Sequence, residues 1–163
     1  MSRITIRAAR PDDAAIFLEL IDALADYEKL ERPGADARQR LLRDGFGESR
    51  RFTAYLAELD RRVVGYAITF HTYSSFLARP TLFLEDLFVL PDARKNDVGT
   101  AFFRFLAAEA LRQECGRMEW VVLDWNQLAI DFYDALGARQ MSEWLPYRLN
   151  QEQLVRIAAG DPH

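Results

Sequence analysis

The sequence predicts one α+β domain with a mixed sheet, and three observations carry that expectation. Two strand-like runs, Phe52 to Leu59 and Val63 to Phe70, flank a tight hairpin turn at Asp60–Arg61. Residues 82 to 100, LFLEDLFVLPDARKNDVGT, join a strand buried on both faces to a long helix through a short polar turn. The third is length, since 163 residues fit a single domain, residues 1–163, that buries about two-thirds of its unfolded surface.

The elements follow in order. Ile4, Ile6 and Ala8 alternate with Thr5 and Arg7 in an opening strand. Pro11, Asp12 and Asp13 start a helix, because proline and acids suit a first turn. Ile16, Phe17, Leu20, Ile21 and Leu24 form its apolar stripe, which ends near Tyr27 to Leu30. A more polar helix is predicted over Ala35 to Arg43, closed by Gly45 and Gly47. After the hairpin, the central strand and the long helix come a strand at Met118 to Leu123 and a helix at Gln127 to Leu136. A strand pair around Arg139 to Leu149 and a short helix at Gln151 to Ala159 complete the pattern.

Composition narrows the function classes. Half the residues are hydrophobic and 12% aromatic, which supplies a core. A net charge of -4 argues against nucleic acid as partner and favours a cationic ligand. Cys115 is the single cysteine, which excludes an intramolecular disulfide and a thiolate zinc cluster, and no metal site is expected. The start, MSRITIRAARPDD, has no apolar run of signal-peptide type, and no segment approaches a membrane span. A soluble cytoplasmic protein without a membrane partner is the expectation.

Two stretches carry chemistry. In the first, Pro91 stops the central strand and Asp92 to Asp97 turn the chain into the helix that starts at Val98. Backbone N–H groups at a helix start favour an anion, and Arg94 and Lys95 add cations beside it, so the turn reads as a phosphate cradle. Strict alternation puts Glu85 with Phe83, Leu87 and Val89, and Asp86 with Leu84, Phe88 and Leu90. A buried carboxylate needs water, a cation or a task, so at least one of the two acids should face a wet cavity. In the second stretch, VLDWNQLAIDFYDALGA, Asn126 caps a helix that Gly137 ends. By itself Tyr133 reads as a core residue.

These segments, with ADYEKL near Asp26 and LLRDGFGE near Asp44, resemble the GCN5-related N-acetyltransferase superfamily. The resemblance is closest to its diamine acetyltransferase branch, and within that to thialysine acetyltransferases. It implies a strongly twisted mixed sheet flanked by helices, acetyl-CoA as co-substrate, and a homodimer. It implies that Leu87, Phe88 and Val89 meet the pantetheine arm through their backbone. Arg94, Lys95, Asn96, Asp97, Val98, Gly99 and Thr100 would hold the pyrophosphate, and Asn126 would bond the cofactor near its thioester. Tyr133 would be the general acid, Glu85 would help a water chain remove the amine proton, and Tyr27 and Glu28 would bind the amine.

The chemistry asks for these residue types. An alkyl ammonium, with a pKa of roughly 10.4, must lose a proton before it attacks a thioester, and a carboxylate coupled to water can take it. The leaving thiolate, near a pKa of roughly 8.5, can be protonated by a neutral phenol. No covalent nucleophile is needed, so Cys115 reads as a packed side chain, and His71, late in a strand, as structural.

Two departures stand out. Asp97 occupies the first glycine of the R-x-x-G-x-G signature, where it either caps the helix or opposes pyrophosphate. Ser74, Phe76 and Leu145 replace groups that bind a long polyamine, which favours a smaller amine such as thialysine. The expected activity is acetyl transfer from acetyl-CoA to a small primary amine in a ternary complex. The alternatives are a protein lysine acetyltransferase and a non-catalytic acyl-CoA-binding module.

Overall fold

Alternation in the opening segment is realised as β1 (Ile4–Ala8), which pairs antiparallel with β2 (Thr53–Leu59) from Ile4↔Leu59 to Ala8↔Tyr55. The computed structural model describes residues 3–161. β3 (Arg62–Ser74) and β4 (Arg79–Val89) extend the sheet antiparallel, and β5 (Arg117–Glu119) joins β4 in parallel. Strand order follows chain order, β1-β2-β3-β4-β5. The β2–β3 turn falls at Asp60 and Arg61, both with positive φ (50° and 73°), the twist-matched geometry of a two-residue hairpin. Asp60 Oδ1 accepts from the Arg3 N–H at 2.8 Å, which ties the turn to the start of β1.

The two faces of this sheet carry different helices. On one face, Phe17, Leu20 and Ile21 of α1 (Ala14–Glu28) pack with Ala54, Leu56, Tyr66, Ile68 and Phe88. Tyr66 and Phe17 are fully buried, and their rings meet edge-on at 5.9 Å. On the other face lies α3 (Val98–Arg112), with the Phe105 ring 5.1 Å from Tyr55. Gly65 is required here, because a Cβ at this position would lie 2.6 Å from the Phe88 carbonyl oxygen and 3.3 Å from the Phe102 ring. The polar helix α2 runs Ala35–Phe46, about one turn beyond the predicted end.

Strict alternation fails in β4, at the two acids. Ile68 pairs with Asp86 and its neighbour Thr69 with Leu84, so Glu85 is the extra residue of a β-bulge. Ile68 and Thr69 point to opposite faces, and so do their partners. Asp86 therefore keeps Phe88 as a neighbour on the α1 face but loses Leu84 to the other, contrary to the alternation read from the sequence. β5 ends near the same point. Its ladder with β4 covers only Thr81↔Arg117 to Phe83↔Glu119 and stops where the bulge begins, so the strand expected at Met118 to Leu123 is short.

The residues above belong to the first of two compact units, Met1–Val121. The second, Val122–His163, holds α4 (Gln127–Ala135) and α5 (Gln151–Ala158). Asn126 Oδ1 accepts from the Ala129 N–H at 3.3 Å at the start of α4, and Gly137, with φ 84°, follows its end. Asn150 and Gln153 form a reciprocal cap at α5, each side chain accepting from the other's backbone. The strand pair expected around Arg139 to Leu149 is absent among the described residues. Apolar residues alternate there, but Pro146 has no N–H for a ladder.

Candidate active site

The bulge sets Glu85 and Asp86 side by side on β4, and Glu28 on α1 lies within electrostatic reach of Asp86. Asp86 lies half-buried on the α1 face, and Tyr66, its diagonal neighbour on β3, donates its O–H to Asp86 Oδ2 at 3.0 Å. Glu28, at the end of α1, and the exposed Glu85 stand close enough to raise the Asp86 carboxyl further. Burial is the main cause, and together these groups push Asp86 up to about 6 against the favourable bond from Tyr66. Burial also raises Glu28, and burial followed by the Asp86 charge raises the Tyr66 phenol. Such a cluster attracts a cation and offers it a carboxylate more basic than usual.

Tyr27 neighbours this cluster on α1. Its ring lies 6.0 Å from that of Phe88 and carries the Arg94 guanidinium, whose carbon is 4.8 Å from the Tyr27 centroid and 5.6 Å from that of Phe88. Arg94 Nε donates to the Val89 carbonyl at 3.0 Å. The side chain expected to lead a phosphate loop is thus also a latch between α1 and the end of β4. Leu87, Phe88 and Val89 pair with Ala67, Tyr66 and Gly65 on the β3 side. On the β5 side no ladder reaches them among the described residues, which leaves a strand edge able to bond an extended amide-bearing chain.

The turn that follows is shaped for an anion but is built from unusual residues. Lys95 and Asp97 both adopt left-handed backbone, with φ 70° and 59°, a conformation that glycine accepts most easily. Asn96 Nδ2 pins the turn by donating to the Ala93 and Arg94 carbonyls at 3.0 and 3.3 Å. Val98, Gly99 and Thr100 form the first turn of α3, whose N–H groups have no acceptor within the helix. Asp97 stands at the cap position, yet its side chain makes no cap hydrogen bond. Capping, the bland explanation for this acid, therefore does not hold. The residues present fit a pyrophosphate in backbone shape, and Asp97 alone opposes it in charge.

Asn126 and Tyr133 lie in the second unit, Asn126 as the cap residue before α4 and Tyr133 within that helix. The Tyr133 ring is half-buried, with its centroid 5.8 Å from that of Phe132. Ser74 is buried at the end of β3, where its Oγ accepts from the Leu77 N–H at 3.1 Å and closes the β3–β4 turn, and Phe76 is exposed at the tip. Cys115 is buried beyond the end of α3, and burial raises its thiol. No group of three potential metal ligands occurs among the described residues, and no described helix is long and apolar enough to cross a membrane.

Tyr27, Glu28 and Glu85 were expected from the sequence at an amine site, Asp86 was expected as a buried acid without an assigned role, and Tyr66 was not singled out. Asp86 had a signal, an acid inside an apolar strand. Tyr66 had none, because an aromatic residue in such a strand reads as core.

Comparison with known proteins gives this geometry a family. The acetyltransferase (GNAT) family model matches residues 17–138, three-quarters of the chain and both chemical stretches. The thialysine N-epsilon-acetyltransferase of Mus musculus is 33% identical over 169 aligned positions, covering 97% of this chain and 99% of that one. A spermidine/spermine N(1)-acetyltransferase-like protein of Homo sapiens is 32% identical over 97% of this chain and 24% of its own length. An aminoglycoside N-acetyltransferase solved in complex with CoA shares the fold, with a TM-score of 0.74 at 20% identity over 92% of this chain and 97% of that one. The chain belongs to the acetyltransferase (GNAT) family. It is an acyltransferase with the mixed, helix-flanked sheet of that family.

Proposed function

We propose that this protein transfers an acetyl group from acetyl-CoA to the primary amine of a small diamine or thialysine-like amino acid, directly and within a ternary complex. The observation that carries the reading is the half-buried Asp86 carboxylate beside the β4 bulge, held by Tyr66 and felt by Glu28 and Glu85, in a chain 33% identical over nearly its whole length to a thialysine acetyltransferase. Acetyl-CoA supplies an activated thioester. The amine enters as an ammonium, is attracted by the carboxylates, and loses its proton through water to the cluster that contains Glu85. Tyr27 and Glu28 hold the amine from the end of α1. Asn126 orients the thioester end of the cofactor, and the Tyr133 phenol returns a proton to the departing thiolate. The open edge at Leu87, Phe88 and Val89 receives the pantetheine amides, and Arg94 through Thr100 receive the pyrophosphate.

A single domain over residues 1–163, a homodimer, a cytoplasmic location and the absence of nucleic-acid, membrane and metal partners complete the proposal. The family match supports the first, since it runs from α1 through α4. The resemblance to diamine acetyltransferases supports the second, and the net charge of -4 speaks against nucleic acid.

A panel of thialysine, lysine, ornithine, spermidine and a lysine-containing peptide, each offered with acetyl-CoA, tests the substrate class. Thialysine or a short diamine should be acetylated with the highest kcat/KM. The peptide as best substrate would make the protein lysine acetyltransferase reading correct instead. Cofactor binding with no turnover on any amine would favour the non-catalytic module, for which Asp97 is the one supporting residue.

A further inference from the structure

Tyr66 stands out among the residues to which the family pattern gives no task. It is fully buried, its ring is held edge-on by Phe17, and its hydroxyl reaches across one strand to Asp86 Oδ2. Asp86 Oδ1 has no protein partner among the described residues, and it is not among their fully enclosed unpartnered polar atoms. One oxygen of the carboxylate is therefore fixed by the core, while the other is accessible. The charged groups facing it are Glu28 from α1 and Glu85 from β4, both repulsive. Arg94, on the same side of the sheet, engages the Val89 carbonyl and the Tyr27 and Phe88 rings.

We propose that Tyr66 is a positioning residue of the acetyl transfer: its O–H fixes Asp86 Oδ2, keeps the carboxylate charged, and aims Oδ1 at the ammonium of the substrate. The proposal rests on the reading of the chain as an amine acetyltransferase. Its physical basis is a conflict. Burial and two neighbouring acids favour protonated Asp86, a form with no charge for a cation, and the Tyr66 O–H is the interaction that opposes them. A bond to a rigid, buried phenol also removes the rotation that would otherwise swing Oδ1 away.

Tyr66→Phe deletes the donor and keeps the ring. Without it the acid limb of kcat/KM for the amine should move to higher pH, by about one pH unit for one lost charge-assisted bond. At pH 6.5 kcat/KM should drop about threefold, approaching about tenfold below pH 5.5, mostly through the amine's KM, while the KM of acetyl-CoA stays constant. Replacing Tyr66 with 3-fluorotyrosine, a stronger donor of nearly the same size, should move the limb the other way, so the test survives if the phenylalanine variant folds poorly. Carbon-13 NMR of labelled aspartate, assigned with Asp86→Asn, follows the Asp86 carboxyl itself in all of these proteins. If none of them acetylates an amine, the functional reading fails, and the NMR titration still decides the role of Tyr66. Unchanged Asp86 titration in both Tyr66 variants would overturn the proposal, as would an unchanged acid limb in an active enzyme.

Discussion

At the scale of single residues, two acids are placed where an acid lowers stability or binding, and each gives a measurable sign. Asp86 titrates near 6 in the fold, above the ordinary carboxylate value of 3.8. A carboxyl raised on folding contributes stability while both states are protonated, and that contribution is lost as pH rises through the folded value. The window here runs from about 4 to about 6, and the difference between the two values corresponds to about 3 kcal/mol. Asp86→Asn keeps an acceptor for Tyr66 and removes the charge. Urea unfolding should find the variant more stable than the native protein at pH 8 by up to that amount, with the difference shrinking toward pH 4. A difference that stays constant across pH would mean that Asp86 is not the group that titrates. Asp97 opposes the phosphates instead. A carboxylate about 5 Å from a phosphate charge costs roughly 3 kcal/mol at an effective dielectric near 20, and less under solvent screening. Because Asp97 has φ 59° and makes no cap bond, glycine suits the position on both counts. Asp97→Gly should bind acetyl-CoA more tightly at low salt with no loss of melting temperature, and calorimetric titration checks it. Equal affinities would show that the side chain points away from the cofactor.

At the scale of elements, the β4 bulge explains most of what the sequence could not show. Periodicity assigns faces by counting, and one extra residue at Glu85 shifts the count, which is why Leu84 and Asp86 part company. The β2–β3 turn, by contrast, was legible at Asp60–Arg61, because the polar break between the two apolar runs is short and opens on an aspartate, which suits a tight turn. The backbone at Arg61 is left-handed there, with φ 73°, which costs a residue that carries a Cβ. Arg61→Gly should raise stability by about 0.5 to 1 kcal/mol in thermal unfolding, and a lower melting temperature would show that the Arg61 side chain contributes more than its backbone costs. Arg94 was read as a phosphate cation, and its partners add a second task, since it joins Tyr27, Phe88 and the Val89 carbonyl. Arg94→Lys keeps the charge and loses the planar stack. It should raise the KM of both acetyl-CoA and the amine, whereas a purely electrostatic role would leave both nearly unchanged.

At the scale of the whole molecule, the order of strands and helices through Arg112 was readable because each element announces itself locally. Pro11, Pro33, Gly34 and Pro91 punctuate the chain, and apolar stripes at helical spacing mark α1 and α3. Beyond Glu119 the apolar residues persist, but Pro146 interrupts the ladder that their alternation suggested. Residue types suited to the proposed chemistry were equally visible in Glu28, Glu85 and Tyr133, whereas the contact between Tyr66 and Asp86 depends on register and could not be read from spacing. The central claim is direct acetyl transfer to a small amine with no acetylated enzyme. Its most direct test is initial-rate kinetics with acetyl-CoA and thialysine varied together, following released CoA thiol and acetylated product in the same samples. The account predicts one thiol per acetylated amine, intersecting double-reciprocal lines, and retention of this behaviour in Cys115→Ala. Parallel lines with acetyl bound to the protein, or thiol release without acetylated amine, would contradict it.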